Sequence, residues 1–264
     1  MFEIKFFALP SRRAIVGGFC LTLAALALGV SPARSVMYNR DTGDEKSQEL
    51  AKRAEFASAA HMGGCSAVLI APDVALSASH CVRGKETGRV AINWNGQAQD
   101  GEFWTHPTVD LMVVKLDKPF DNARTTPPYT GRDEAGRLVW KVARGGSEVL
   151  GDGAKFRNDG KYRAMTNRIE VDRVPNIPAV TDTELHYDFD GPPSKPYKNS
   201  YTPYEGGTAP GDSGGPLYME TDEGKWFVVG VTSGPRNNYY ADGRVSSCIG
   251  FIEEKTGYKF GEEK

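Results

Sequence analysis

The chain has 264 residues, 39% of them hydrophobic, with 30 glycines and 16 prolines. That length suits one domain or two small lobes sharing an interface, and the composition is globular and turn-rich, not disordered or collagen-like. A formal net charge of −2 excludes the strongly basic footprint of a nucleic-acid binder.

Lys5, Arg12 and Arg13 give the chain a positive start, and Ala14 to Val30 is a nearly unbroken run of apolar and small residues. The run falls short of the roughly 20 apolar residues that span a bilayer. Small residues follow at Ser31-Pro32-Ala33 and again at Ala33-Arg34-Ser35. This pattern predicts a signal peptide over residues 1–33, cleaved on export to the periplasm or the medium and leaving no membrane attachment; an uncleaved anchor is the alternative. Ser11 to Val16 resembles a twin-arginine signal, although paired arginines also occur in ordinary signals. Cys20 lacks the preceding small residue of a lipoprotein anchor. Loss of 1–33 removes Lys5, Arg12 and Arg13 but only Glu3 among the acids, so the remainder is mildly acidic and keeps Cys65, Cys81 and Cys248. Export permits a disulfide, and the odd cysteine count leaves one thiol over.

Asp44 to Ala60 reads as a polar, partly helical or irregular lead-in whose Glu45, Lys46, Glu49, Lys52, Arg53 and Glu55 form a solvated face. From Cys65 onward short apolar runs alternate with turns. Ala67 to Ile70 is followed by Pro72-Asp73 and then Val74 to Ser77. Val90 to Trp94 runs into Asn95-Gly96, a hairpin dipeptide. Leu111 to Leu116, Leu138 to Val142, Ile169 to Val174, Leu217 to Met219 and Trp226 to Val231 are further strand candidates, and Pro192 to Pro196 reads as a loop. Many short strands with regular turns predict an all-β sandwich or barrel. Ser246 to Tyr258 is the best helix candidate, with Ile249, Phe251, Ile252 and Tyr258 on its apolar face.

Chemistry concentrates in three segments. In Gly211-Asp212-Ser213-Gly214-Gly215-Pro216, glycines flank a serine and let the backbone turn sharply. A serine hydroxyl is a weak nucleophile that needs an adjacent base, and donors aimed at the oxyanion its attack creates. A plain glycine-rich turn would explain the glycines but not the Asp-Ser pair. The segment Ala75 to Cys81 ends a strand on His80, and Asp110 opens the apolar strand that follows His106. Alone, such a histidine is more often structural and such an aspartate a turn former.

Together the three segments resemble the chymotrypsin/trypsin family. Its pattern is a strand ending Ala-Ala-His-Cys, then Asp-Ile-Ala-Leu-Leu-Lys-Leu, then Gly-Asp-Ser-Gly-Gly-Pro, and the order His, Asp, Ser distinguishes it from other triad folds. The resemblance runs from about Cys65 to the C-terminal helix. It implies two antiparallel six-stranded β-barrels with the active site between them and a short C-terminal helix. The lobes would divide near Thr125 to Gly136, giving 34–130 for the lead-in and first barrel and 131–264 for the second barrel and helix. It implies an exported serine endopeptidase in which Ser213 attacks, His80 is the base and Asp110 orients it, through an acyl-enzyme. The N–H groups of Gly211 and Ser213 would form the oxyanion hole, the partner would be a protein or peptide substrate, and no metal or organic cofactor is implied. Cys65 and Cys81 match the family's disulfide around the catalytic histidine, leaving Cys248 as a buried free thiol or an intermolecular bridge.

The substrate site departs from the pattern. Where trypsin-like members carry an Asp that binds Lys or Arg, six residues before the serine, this chain has Gly207, and Ala209 replaces a pocket-bracing cysteine. Thr232-Ser233-Gly234 replaces Ser-Trp-Gly at the cleft edge, with Gly234 free to pair an extended substrate, and Asp242 lies toward the rear wall of the pocket as a candidate negative charge. The family's activated Ile-Val-Gly-Gly terminus has no counterpart at the right spacing, since Ile15 to Gly18 lies within the signal. Cleavage after Ser35 would instead expose Val36 to pair with Asp212; cleavage after Ala33 would leave a loose terminus. The rival function is a catalytically silent homologue that binds a protein partner, against which the complete triad argues; esterase activity by the same residues is a further alternative.

Overall fold

The computed structural model describes residues 36–38, 42–149, 159–170, 180–189, 201–236 and 239–261. The export segment over 1–33, the end of the Ile169–Val174 run and the Pro192–Pro196 loop lie outside the described residues.

β1 (Val36–Tyr38) precedes helix α1 (Gly43–Leu50). Six strands then form a closed antiparallel barrel: β2 (Ala59–Met62), β3 (Cys65–Ala71), β4 (Val74–Ser77), β5 (Thr87–Trp94), β6 (Gln97–Thr105) and β7 (Met112–Leu116), in the order β2-β3-β4-β7-β6-β5. Asn95 and Gly96 link β5 to β6 with φ of 46° and 77°, the left-handed pair that a tight hairpin requires. After β8 (Leu138–Ala143) come β9 (Ser147–Val149), β10 (Arg163–Arg168), β11 (Glu184–Tyr187), β12 (Gly206–Gly207), β13 (Pro216–Glu220), β14 (Trp226–Pro235) and β15 (Tyr240–Arg244). The second lobe is a six-stranded antiparallel sheet in the order β10-β8-β13-β14-β15-β11. Its edges approach where the Glu170 N–H donates to the His186 carbonyl at 2.9 Å. The chain thus has the two six-stranded antiparallel lobes expected, the first closed and the second a half-barrel.

Burial explains why β3, β4 and β7 read as continuous apolar runs while β5 and β6 alternate. One face of β3 and β7, with Ala67, Leu69, Met112 and Val114, fills the first barrel around Ile92, Trp94 and Phe103. The other face, with Val68, Ile70 and Val113, packs on Val142, Tyr218, Val228 and Val231 of the second lobe. A strand covered on both sides has no solvent face to make polar. β5 and β6 have one wet face and keep the period of two. The interior of the second lobe is a separate cluster of Val139, Ile169, Leu185, Leu217, Met219 and Val229.

Helix α2 (Ile249–Thr256) closes the interface with buried Ile252, and Gly257 ends it in the left-handed conformation at φ 75°. A 3-10 turn over Val245–Ser247 occupies the start of the expected helix. Cys248 is buried and unbridged, and burial pushes its thiol up to about 11. In the lead-in, Glu45, Lys46, Glu49 and Lys52 are exposed as expected, whereas Arg53 lies over the rings of Phe56 and Trp226 at 5.4 and 5.3 Å.

Candidate active site

His80 follows β4 in a short 3-10 turn, and Asp110 stands two residues before β7, the strand paired with β4. The pairing brings the two together. His80 Nδ1 lies 2.7 Å from Asp110 Oδ2, and the His80 amide donates to Oδ1 at 3.0 Å. Two hydroxyls complete the carboxylate: Ser79 Oγ donates to Oδ1 and Ser233 Oγ to Oδ2, each at 2.7 Å. Burial pushes the Asp110 carboxyl up, but the bonds from His80, Ser79 and Ser233 outweigh it and hold the group well below the usual carboxylate range. The same bond to Asp110 raises His80 above the ordinary 6.5 against its own desolvation. With Nδ1–H given to the carboxylate, Nε2 is left as the basic atom.

The turn carrying Ser213 is clamped between the lobes. Gly211 and Gly214 take φ of 95° and 80°. A Cβ on Gly214 would stand 2.1 Å from Ser77 Oγ and 2.4 Å from the Ser66 carbonyl, so a side chain there would separate the turn from β3 and β4. The Ser66 amide donates to the Ser213 carbonyl at 2.8 Å, Ser66 Oγ to the Gly211 carbonyl at 3.0 Å, and the Gly214 amide to Thr232 at 2.8 Å. Because Gly214 also lies against the Ala78 amide, the serine turn sits beside the segment that carries His80. Among the described residues, Ser213 Oγ makes no hydrogen bond. Asp212 is fully buried, and its carboxylate accepts from the amides of Ala209 at 2.9 Å and Gly145 at 3.1 Å. Burial drives it up to about 7, against the charge of Lys141 and those two donors.

The four residues expected in the substrate cleft have distinct settings. Gly207 lies on β12 against the ring of Tyr240. Thr232 is buried, and its hydroxyl is used on the Gly215 carbonyl at 3.0 Å. Ser233, at a bulge in β14, turns its hydroxyl to Asp110 instead of into the cleft. Gly234 has open space where a side chain would stand. Asp242 is wholly buried beside Lys141, at 2.7 Å, so its charge is already paired. On the other side of Gly211 a cleft of about 200 Å³ is lined by His61, Gly63, Gly64, Arg144 and Gly160. Cys65 and Cys81 form the expected disulfide.

The family model for trypsin matches residues 43–249. A trypsin-like protease of Streptomyces glaucescens is 27% identical over 86% of this chain and 83% of its own length. An uncharacterized peptidase of Corynebacterium glutamicum is 26% identical over 75% of this chain, which spans 64% of that relative's length. The structure of HL collagenase shares the fold with a TM-score of 0.57 at 16% identity, covering 78% of this chain and 95% of that one. On this match over most of its length, with the fold in agreement, the chain belongs to the trypsin family of peptidases.

Proposed function

We propose that this protein is an exported serine endopeptidase that cleaves peptide bonds through Ser213, His80 and Asp110. The observation that carries the proposal is the His80 ring held at 2.7 Å by a carboxylate that three further donors fix in place. Ser213 Oγ attacks the scissile carbonyl and passes its proton to His80 Nε2. Asp110 stabilises the imidazolium so formed. The Gly211 and Ser213 amides receive the oxyanion, in a turn whose Gly211 and Gly214 take positive φ. His80 returns the proton to the leaving amine, and water then resolves the acyl-enzyme by the same steps in reverse order. The Cys65–Cys81 disulfide supports export, and no described helix is long and apolar enough to cross a membrane. Of the two cleavage points, after Ala33 and after Ser35, the second is proposed here in place of the 1–33 boundary, so that the mature chain begins at Val36.

The test is labelling by a fluorophosphonate probe together with hydrolysis of a mixed peptide library. Wild-type protein should be labelled and should cleave peptides, and Ser213→Ala should do neither while keeping its circular dichroism spectrum. Peptide cleavage undiminished in a homogeneous Ser213→Ala sample would end the reading. An unlabelled, inactive wild type would favour the silent homologue.

A further inference from the structure

The family resemblance implies that a peptide attacked by Ser213 places the side chain on the acyl side of the scissile bond between two backbone segments near the serine. One is the approach from Gly207 to Asp212; the other is residues 232–235 of β14. These segments are fixed to each other, since the Gly214 amide donates to the Thr232 carbonyl at 2.8 Å and the Thr232 amide to the Gly215 carbonyl at 2.9 Å. Behind them runs β15, paired to β14 through Gly234 with Ala241 and Pro235 with Tyr240.

Tyr240, opposite Pro235 on β15, reaches across to Gly207. A Cβ built on Gly207 would lie 2.1 Å from Tyr240 Oη and 2.3 Å from Cζ. Both distances are far inside van der Waals contact, so the phenol end already fills the volume that any side chain at position 207 would use. This is why the approach strand carries glycine there: Gly207 and Tyr240 are two halves of one packing arrangement. The ring is only 7% exposed and stacks on Tyr187, centroid to centroid 5.6 Å. Tyr187 is itself buried and hydrogen-bonded to the Lys141–Asp242 pair, with its hydroxyl 3.2 Å from Asp242 Oδ1. The ring is thus packed between Tyr187 and Gly207 as a wall.

We infer that Tyr240 plugs the slot beside Ser213 and restricts the acyl-side residue of the substrate to glycine or alanine. The inference rests on Ser213 being the nucleophile. A larger residue meets the ring. Lys and Arg also meet no accessible charge, because Gly207 offers none and Asp242 is wholly buried with Lys141 on its Oδ1.

The test is kcat/KM for a matched peptide series that varies only the acyl-side residue through Gly, Ala, Leu, Phe and Lys, with fluorophosphonate labelling as a measure of Ser213 reactivity that needs no occupant in the slot. Wild type should favour Ala over Leu, Phe and Lys by about 100-fold, the scale on which a shaped pocket discriminates. Tyr240→Ala should raise Leu or Phe relative to Ala by at least about 10-fold, and Tyr240→Phe, which keeps the ring, should retain the wild-type order. Wild-type cleavage after Leu, Phe or Lys as fast as after Ala would overturn the plug, and this holds even if Tyr240→Ala fails to fold. An unchanged preference in a labelled Tyr240→Ala protein would overturn it equally. Absence of both labelling and cleavage in wild type would overturn the nucleophile assignment and the plug with it.

Discussion

Asp110 accepts two hydrogen bonds on each carboxylate oxygen: Ser79 Oγ and the His80 amide on Oδ1, the His80 ring and Ser233 Oγ on Oδ2. With every strong acceptor direction in use, the carboxylate cannot rotate away from the ring, and the tautomer of His80 follows. The bond to Asp110 raises His80 above its ordinary 6.5, so the ring stays protonated to higher pH than a free histidine. In the proposed mechanism only the neutral ring can accept the Ser213 proton. Activity is therefore expected to fall as pH drops through a value above 6.5, read as the acid limb of a kcat/KM profile. Asp110→Asn removes the interaction that raises the ring. Its acid limb should move to lower pH, and kcat should fall by about ten-thousandfold, the magnitude known for this substitution in a serine-protease triad. A loss below about tenfold would assign the orienting role to another group. The segments that carry His80, Asp110 and Ser213 could be singled out in the sequence as candidates because each forms a local motif. Ser79 and Ser233 as supports of Asp110 could not be, since those contacts join residues 31 and 123 positions apart. Likewise the loss of an acid at Gly207 could be read directly, but the ring that takes its place comes from β15, a separate element.

Among the elements, β3, β4 and β7 were readable as strands but not as to which faces they bury. An apolar run without alternation says that both sides are covered and leaves open by what. The answer is the partner lobe, with Val68, Ile70 and Val113 on that side. Asn95-Gly96 was the opposite case, a turn whose chemistry suffices to place it. β1 and β12 are two- or three-residue strands formed by distant backbone pairing, and such short pairs leave no periodic trace in sequence. The Cys65–Cys81 bridge ties the start of β3 to the turn that bears His80, closing a separation of 16 residues. A loop of that length is expected to add about 3 kcal/mol by restricting the unfolded chain. The Cys65→Ser, Cys81→Ser double variant should lose roughly that amount in denaturant unfolding while Cys248→Ser should not. Mass spectrometry of the untreated protein should find Cys65 joined to Cys81. A bridge from either to Cys248 would contradict the arrangement.

At the scale of the whole molecule, and on the proposed start at Val36, maturation and the serine turn would converge on Asp212. β1 lies between two segments of the second lobe, with Met37 opposite Gly207, Tyr38 opposite Gly206, and Val36 beside Ser147 in parallel register. Ser147 is two residues beyond Gly145, whose amide donates to Asp212 at 3.1 Å. A terminus created at Val36 would stand at the end of β1 that faces the Gly145–Asp212 contact, and we propose that its ammonium pairs with this carboxyl, which burial has pushed up to about 7. A carboxyl raised in the folded state contributes stability that is complete below its unfolded value of 3.8 and is lost as pH rises through about 7. The precursor, without that ammonium, should therefore melt at a higher temperature at pH 5 than at pH 8. Cleavage after Ser35 supplies a positive partner, lowers the carboxyl and should flatten the dependence. Asp212→Asn should flatten it in the precursor as well, and should slow peptide hydrolysis in the processed enzyme by loosening the turn that presents the Gly211 and Ser213 amides. The decisive measurements are N-terminal sequencing of the active exported enzyme, expected to begin at Val36, and melting curves of precursor and processed Ser213→Ala protein across pH 5 to 8. A fully active enzyme beginning at Arg34, or activity indifferent to Asp212→Asn, would show that the serine turn is set by packing alone.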